Sequence, residues 1–337
     1  MRNRFSEKLV GVVAVVLAIG FSPIAQASPN ETAIVSSGGA AATNNGFDAS
    51  GEAINKVVMP LVGALPQGVP NRFAGSTAVV SGNGIVYHDG KVMNASTGVD
   101  VNVIWYGAWS NLQKDIVRSA ISGLSGSAYF KINTTYGDAT ANVANIVTLK
   151  KEVSDNYSQG KGGGAGLSDS QIWTIVKTAA GASTSETYTA LIKNVNAITL
   201  VLTSVDVKKS GFLRSYCGWH TYNTSLNYSV KYSFVGNPGT STSCGAQATS
   251  TNGDRGVDAM ASIIAHEVEE AATDPELNAW YDNNGYENAD KCAWKFGTAT
   301  TTDPNGFKWN ITLGGKNYLV QQNWANAGGG YCGMALK

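Results

Sequence analysis

The sequence predicts one α/β domain, a mixed sheet with helices, in a zincin-like order of elements. Three observations carry this prediction. A β-rich run is followed directly by an amphipathic helix, and a later apolar run has the character of a strand buried on both faces. A third, alternating run leads into a long helix with a His-Glu-x-x-Glu motif. Strands that alternate with helices are typical of α/β folds.

The elements are predicted in chain order. Val101–Tyr106 is rich in β-branched and aromatic residues, which indicates a strand, and Ser110 is the expected N-cap of the helix that follows. Ala197–Val205 is almost continuously apolar and is the predicted buried strand. Leu226–Val235 alternates apolar and polar residues, which predicts a half-buried strand at the edge of the sheet. In a zincin-like fold that edge strand would line the substrate cleft.

Composition divides the chain into three parts. Residues 1–27 have the features of a signal peptide: a basic start, the apolar run Leu9–Phe21 and the A-x-A pattern Ala25-Gln26-Ala27. That run is shorter than the ~20 residues that a transmembrane anchor needs. Residues 28–84 are predicted to be a low-complexity leader and extended segment, and residues 85–337 the folded domain. We therefore expect a secreted protein, extracellular, periplasmic or bound to the cell wall, with no membrane attachment after cleavage.

The charge balance limits the class of partner, and the cysteines predict disulfides. The chain has 24 Lys and Arg against 24 Asp and Glu, so neither nucleic acid nor an anionic membrane surface is indicated. Four cysteines in an exported protein predict two disulfides out of three conceivable pairings. Proximity in the sequence favours Cys217–Cys244 and Cys292–Cys332. Because no C-x-x-C spacing occurs, a zinc–thiolate site is not indicated.

The helix with the His-Glu-x-x-Glu motif is predicted to lie inside the fold, because little of its surface is polar. At 100° per residue, His266 and Glu270 share one face, whereas Glu269 falls in a narrow polar stripe and is expected to face solvent. Pro275 ends the helix. Burial of a histidine and a carboxylate one turn apart costs free energy unless they pair or bind a cation.

These residues predict a metal centre. His266 and Glu270 are the expected ligands on the helix, and Glu267 is the expected general base that takes a proton from metal-bound water. Glu287 is the predicted third ligand, and Asp290, three residues later, is a further ligand or orients the others. Zinc is the first expectation for the divalent metal. Glu270 stands where the usual motif has histidine, so Ca²⁺ and Mn²⁺ stay open, as does a structural His–Glu pair without an ion.

His220 is the second histidine expected at the site, because its loop follows the predicted buried strand. Its predicted role is to stabilise an oxyanion or to supply a ligand. The sequence assigns no role to His88. A serine hydrolase is not indicated, since no G-x-S-x-G occurs, and the glycine-rich run Lys161–Gly166 lacks the ending of a phosphate-binding loop.

Several blocks of sequence occur together and in order along the chain. They include YHDG at Tyr87–Gly90, VNVIWYG at Val101–Gly107, NAITLVLTSVDV at Asn196–Val207, CGWH at Cys217–His220, the stretch Asn252–Tyr281, ENADKC at Glu287–Cys292 and YLVQQNW at Tyr318–Trp324. In these blocks the chain resembles the EXORDIUM family, also called phosphate-induced protein 1, of secreted plant and bacterial proteins. The resemblance implies an extracellular or cell-wall-associated protein, and in plants the family is linked to growth control. The signal peptide looks bacterial, so a bacterial-type secreted member is expected.

The sequence leads to two hypotheses about function, which belong to different classes. The first is a secreted metal-dependent hydrolase, in particular a peptidase that acts on a peptide. The second is a non-catalytic extracellular protein that binds wall polysaccharide or another matrix ligand through its 8 Trp and 14 Tyr residues. The sequence leaves the oligomeric state open.

Overall fold

The computed structural model describes residues 46–64, 84–182, 192–298 and 300–337. The predicted signal peptide, residues 1–27, and most of the predicted leader lie outside these residues. No helix within the described ranges is long and apolar enough to cross a membrane.

The described residues form strands and helices with the following bounds. The strands are β1 (Val57–Met59), β2 (Val86–Tyr87), β3 (Val99–Tyr106), β4 (Val147–Asp155), β5 (Ala197–Thr203), β6 (Gly218–Asn223), β7 (Val230–Gly236), β8 (Trp280–Tyr281), β9 (Thr301–Thr302), β10 (Lys308–Trp309), β11 (Ile311–Leu313), β12 (Lys316–Tyr318), β13 (Asn323–Ala325) and β14 (Tyr331–Gly333). The α-helices are α1 (Asn111–Leu124), α2 (Asp169–Ala182) and α3 (Arg255–Thr273), and short 3-10 helices span Phe130–Thr135 and Asp290–Cys292.

The centre of the domain is a six-stranded mixed sheet in the order β1-β6-β7-β5-β3-β4. Strands β4, β3, β5 and β7 run parallel, β6 is antiparallel to β7, and β1 is antiparallel to β6. Every residue of β3, β5 and β7 is buried, which is why the apolar runs that form β3 and β5 show no alternation. The predicted mixed α/β class is confirmed.

The first strand–helix unit forms as predicted. Strand β3 leads into α1, and the Ser110 hydroxyl accepts a hydrogen bond from the Gln113 backbone N–H at 3.2 Å. The Gln113 side-chain oxygen accepts from the Ser110 N–H at 2.9 Å, so the two residues form a reciprocal capping box. Five apolar residues of this helix are buried against the sheet and α3, namely Ile116, Val117, Ala120, Ile121 and Leu124.

The predicted edge strand is wrong in its position. Strand β7 lies between β6 and β5, and all seven of its residues are buried. Its alternating polar residues are covered as well, because α3 packs on β6 and β7 while Trp173 of α2 contacts the Tyr232 ring at 5.2 Å on the opposite face. Lys231 and Ser233 are therefore interior residues. The strands at the edges of the sheet are β1 and β4, so β7 does not line an open cleft.

Residues 46–64 come from the segment predicted to be leader, and they pack on the domain. Strand β1 pairs with β6, with Val57 opposite His220. Just before it, Lys56 forms ion pairs with Glu52 at 3.0 Å and with the buried Asp169 at the start of α2. This segment thus forms one edge of the sheet beside the strand that carries His220.

The two disulfides favoured by sequence proximity are confirmed. Cys217 is bonded to Cys244, and Cys292 is bonded to Cys332. Cys217 directly precedes β6, and Cys292 ends the 3-10 helix that begins at Asp290. Each disulfide therefore anchors a segment that carries a predicted site residue.

Candidate metal centre

Helix α3 carries three of the predicted site residues into the interior. Asp254 caps its N-terminus by accepting from the Val257 N–H at 3.0 Å, and almost the whole helix is buried, as its small polar surface predicted. His220 lies on β6, which packs against this helix, and two acidic residues come from the segment after β8. The six side chains brought together in this way are at most 1% exposed: His220, His266, Glu267, Glu270, Glu287 and Asp290.

Five of these side chains form two groups that share Glu270. His220 Nε2 lies 3.3 Å from Glu287 Oε2 and 3.5 Å from Glu270 Oε2. His266 Nε2 lies 3.1 Å from Glu270 Oε1 and 3.7 Å from Asp290 Oδ1. In each group one nitrogen or oxygen from every member lies within 4.8 Å of the others. We call His220, Glu270 and Glu287 the His220 trio, and His266, Glu270 and Asp290 the His266 trio.

The arrangement differs in one respect from the pattern expected from the sequence. Glu287 was expected to join His266, but it contacts His220 instead. Asp290 is the acidic residue beside His266, and its second oxygen accepts a hydrogen bond from the Glu287 N–H at 3.2 Å. His88 lies elsewhere: its ring stacks on Tyr281 with centroids 3.7 Å apart.

The separations of His220 Nε2 from the two carboxylates of its trio are those expected between ligand atoms around one ion. With metal–ligand bonds of about 2.0–2.3 Å, neighbouring ligands of a tetrahedral ion lie about 3.3–3.8 Å apart. The two measured separations of His220 Nε2 fall in this range. His266 Nε2 is close to Glu270, yet it makes no aligned hydrogen bond to any described residue.

Glu267 lies beside the two trios in an environment that disfavours its charge. Both carboxyl oxygens are buried without a hydrogen-bond partner among the described residues. Burial raises the pKa of Glu267 well above its ordinary value of 4.5, and the neighbouring carboxylates Glu270, Asp290 and Glu287 raise it further. The carboxyl also lies against Gly218 of β6, where a Cβ would come within 2.7 Å of Glu267 Oε1. Glycine at this position leaves room for the acid.

Asp290 and His266 are shifted toward their neutral forms. Burial raises the pKa of Asp290 well above 3.8, and Glu270 adds to the shift. Burial lowers the pKa of His266 below 6.5, although Asp290 and Gln321 act in the opposite direction. In both cases loss of hydration is the larger cause.

Gln321 is a site residue that sequence reasoning missed. Its side-chain nitrogen lies 2.9 Å from His266 Nδ1 and donates to the Ala289 carbonyl at 3.0 Å. Its oxygen accepts from the Trp294 N–H at 3.3 Å. Gln321 is 55 residues from His266, so no helical or strand spacing links them. The only sequence signal was its place in the YLVQQNW block.

The prediction that Glu269 faces solvent is wrong. Glu269 is fully buried and accepts a hydrogen bond from the Tyr129 hydroxyl at 3.0 Å. The 3-10 helix Phe130–Thr135 packs on that side of α3 and excludes water from it. Burial raises the pKa of Glu269 well above 4.5, against the hydrogen bond from Tyr129.

Comparisons with known proteins identify relatives of the whole domain. The family model described as "Phosphate-induced protein 1 conserved region" matches residues 85–327, a range that contains both trios, Glu267 and Gln321. Protein EXORDIUM-like 3 of Arabidopsis thaliana is 31% identical over 293 residues, covering 76% of this chain and 83% of that protein. Protein EXORDIUM-like 5 of the same plant is 29% identical over 294 residues, with 75% and 77% covered. Protein PHOSPHATE-INDUCED 1 of Nicotiana tabacum is 29% identical over 228 residues, with 58% and 66% covered.

No solved structure matches the chain. The zincin-like architecture therefore stays a prediction.

Proposed function

The chain belongs to the phosphate-induced protein 1 family, and we propose that it is an exported protein that binds a divalent metal ion in the centre formed by the two trios. The observation that supports this most strongly is the convergence of two histidines and three carboxylates at 3.1–3.7 Å in the buried interior. The closed position of the centre favours a role in which the ion stabilises the fold, since structural metal sites are closed.

The electrostatics of the centre support a cation. The charged groups that shift the pKa of Glu267 are the carboxylates Glu270, Asp290 and Glu287. Glu270 and Glu287 also raise the pKa of Asp290, whereas His266 and the Glu287 backbone N–H lower it. Burial of several carboxylates is strongly unfavourable unless their charge is compensated. A divalent ion supplies the compensating charge. Zinc suits the mixed nitrogen and oxygen ligands, and a carboxylate-rich set also accepts Mn²⁺ or Ca²⁺.

The disulfides support export, because such bonds persist in oxidising compartments. The signal peptide predicted for residues 1–27 supports a bacterial-type secreted member, and the zincin-like element order belongs to the same proposal. A peptide or a matrix component remains the proposed partner.

Metal binding is tested by titrating the purified protein, stripped with a chelator, with Zn²⁺, Mn²⁺ and Ca²⁺ in a calorimeter and by elemental analysis after desalting. We expect stoichiometric binding of one of these ions. Glu270→Gln is expected to lower the affinity at least 100-fold, because both trios use this carboxylate. Glu276→Gln, which changes an acid 36% exposed, is the matched control and should bind like wild type. A folded wild-type protein that takes up no divalent ion would refute the proposal.

Metal-dependent hydrolysis is the second candidate. The carboxyl of Glu267, which has no hydrogen-bond partner in the described part of the chain, favours it. Beside a bound ion this group is placed to act as general base toward a metal-bound water. Because the side chains are at most 1% exposed, a substrate reaches them only if part of the domain that covers them moves.

Hydrolysis is tested by comparing metal-loaded wild type and Glu267→Gln on mixed peptide libraries. Wild type is expected to cleave, and the variant is expected to retain the metal and lose at least 100-fold in kcat. Equal cleavage by both proteins, or none by metal-loaded wild type, would leave metal binding intact and exclude this use of Glu267.

A further inference from the structure

We propose that the metal ion is held by the His220 trio alone, and that His266 is a positioning residue whose tautomer Gln321 sets. This assignment rests on the proposed metal binding. It departs from the expectation for a His-Glu-x-x-Glu helix, in which His266 itself would be a ligand.

The orientation of the Gln321 amide is determined by two backbone groups. The Trp294 N–H only donates, and it lies 3.3 Å from Gln321 Oε1. The Ala289 carbonyl only accepts, and it lies 3.0 Å from Gln321 Nε2. A flipped amide would place donor against donor at Trp294 and acceptor against acceptor at Ala289. The amide NH₂ is therefore the group that faces His266 Nδ1, at 2.9 Å.

This contact determines where His266 carries its proton. An amide NH₂ cannot accept a hydrogen bond, so His266 Nδ1 must supply a lone pair. In a neutral imidazole the proton is then on Nε2, the nitrogen that faces Glu270 and Asp290. A protonated Nε2 has no lone pair for a metal ion. Histidines that bind metal show the opposite pattern, in which the distal ring nitrogen donates to a fixed acceptor.

The same proton gives His266 a role toward Glu270. His266 Nε2 lies 3.1 Å from Glu270 Oε1, and the Asp290 backbone N–H donates to that oxygen at 3.1 Å. The contact with Nε2 is a close polar approach and not a hydrogen bond. The Asp290 N–H thus holds one oxygen of Glu270, with His266 Nε2 beside it, and the other oxygen faces His220 at 3.5 Å. Hydrogen-bonded groups of this kind orient carboxylate ligands in metal sites.

The charge of the His220 trio also suits one ion. Two ionised carboxylates, Glu270 and Glu287, balance one dication without help from Asp290. The His266 trio, by contrast, would have to bind a second cation through two oxygens, one of which already accepts from a backbone N–H. We therefore expect one ion per chain rather than two.

Nuclear magnetic resonance of the ring nitrogens tests the assignment directly, because the chain has only 3 histidines. In the zinc-loaded protein we expect the His266 ring to be protonated on Nε2 and unchanged by zinc, while His220 Nε2 shows the shift of a metal-bound nitrogen. The His266 signals are assigned by their loss in His266→Gln. A zinc-induced shift at His266 Nε2 would overturn the proposal.

Affinity measurements with zinc give a second readout. His220→Ala is expected to lose stoichiometric zinc. His266→Ala is expected to weaken zinc binding about 10–100-fold, because this is the usual effect of removing a group that orients a metal ligand. His266→Gln, which keeps an N–H near Glu270, should recover most of that loss. Two zinc ions per chain, or zinc retained in His220→Ala and lost in His266→Gln, would refute the assignment.

The two proposals can fail separately. If folded wild type binds no zinc or other divalent ion, the proposed function fails and the assignment of the ion falls with it. The tautomer is then still measured in the metal-free protein, where a proton on His266 Nδ1 would disprove the role of Gln321. If zinc binds but shifts His266 Nε2, metal binding stands and only this assignment is wrong.

Discussion

Replacement of Asp169 by Ala is expected to lower the free energy of unfolding by about 3–5 kcal/mol, the range for the loss of one partner from a buried ion pair. Asp169 begins α2 and is fully buried. Its Oδ1 lies 2.8 Å from Lys209 Nζ, which is equally buried, and its other oxygen accepts from Lys56 and from the Ala53 N–H. Without the carboxylate, the Lys209 ammonium stays in the interior with Glu52, 3.4 Å away and partly exposed, as its remaining counter-charge.

The measurement is urea unfolding followed by fluorescence, with Asp115→Ala as the control. Asp115 pairs with Lys316 at 3.1 Å at the surface, so its loss should cost less than about 1 kcal/mol. Burial alone would raise the pKa of Asp169, but Lys209 and Lys56 outweigh it and lower this pKa below 3.8. The ion pair therefore stabilises the fold above the unfolded-state pKa of about 3.8 and loses this effect as the pH falls further.

The difference between wild type and Asp169→Ala should thus be constant at neutral pH and shrink in acid. If Asp169→Ala unfolds at the same urea concentration as Asp115→Ala, the interior ion pair contributes no more to stability than a surface pair.

Local sequence predicted those elements whose burial does not depend on distant segments. Strand β5 is a continuous apolar run, and such a run can only be an interior strand or helix. The cap at Ser110 could be predicted because the capping box uses residues three positions apart. Strand β7 was placed at the edge because Lys231 and Ser233 are polar. Their burial depends on α2 and α3, which lie far away in the sequence.

The same distinction between local patterns and contacts with distant segments applies to the candidate site. Helical periodicity correctly placed Glu270 one turn from His266, because that geometry belongs to the helix itself. It failed for Glu269, since Tyr129, whose segment buries this residue, precedes it by 140 positions. It also failed to pair Glu287 with His220, because the register of β6 beneath α3 is a tertiary property. Gln321 carries no local pattern at all.

The metal-free protein is expected to lose stability as the pH rises from about 5 to 8. Burial and neighbouring carboxylates raise the pKa of Glu267 well above 4.5, and burial raises that of Asp290 well above 3.8. Each group therefore keeps its proton in the folded state over a range where the unfolded chain has released it. Unfolding is then favoured by up to about 1.4 kcal/mol per pH unit and per group. At pH values below the unfolded-state pKa values of these two groups, the stabilising effect is fully present.

The measurement is the urea midpoint of chelator-treated protein at several pH values. The Glu267→Gln variant lacks this titrating carboxyl. Its free energy of unfolding should therefore fall less steeply with pH, by the contribution of one group. Glu276→Gln should keep the wild-type slope, because this acid is partly exposed. Equal slopes in wild type and Glu267→Gln would show that the Glu267 carboxyl is not held neutral in the fold.

A bound metal ion acts against this dependence. Its ligands must be deprotonated to bind it, so the affinity for the ion rises with pH. At a free ion concentration 100 times the dissociation constant, binding adds about 2.7 kcal/mol to the free energy of unfolding. Zinc should therefore raise the urea midpoint more at pH 8 than at pH 5. Because Glu270→Gln removes a ligand that both trios share, this variant should show no such gain, and a gain equal to that of wild type would place the ion elsewhere.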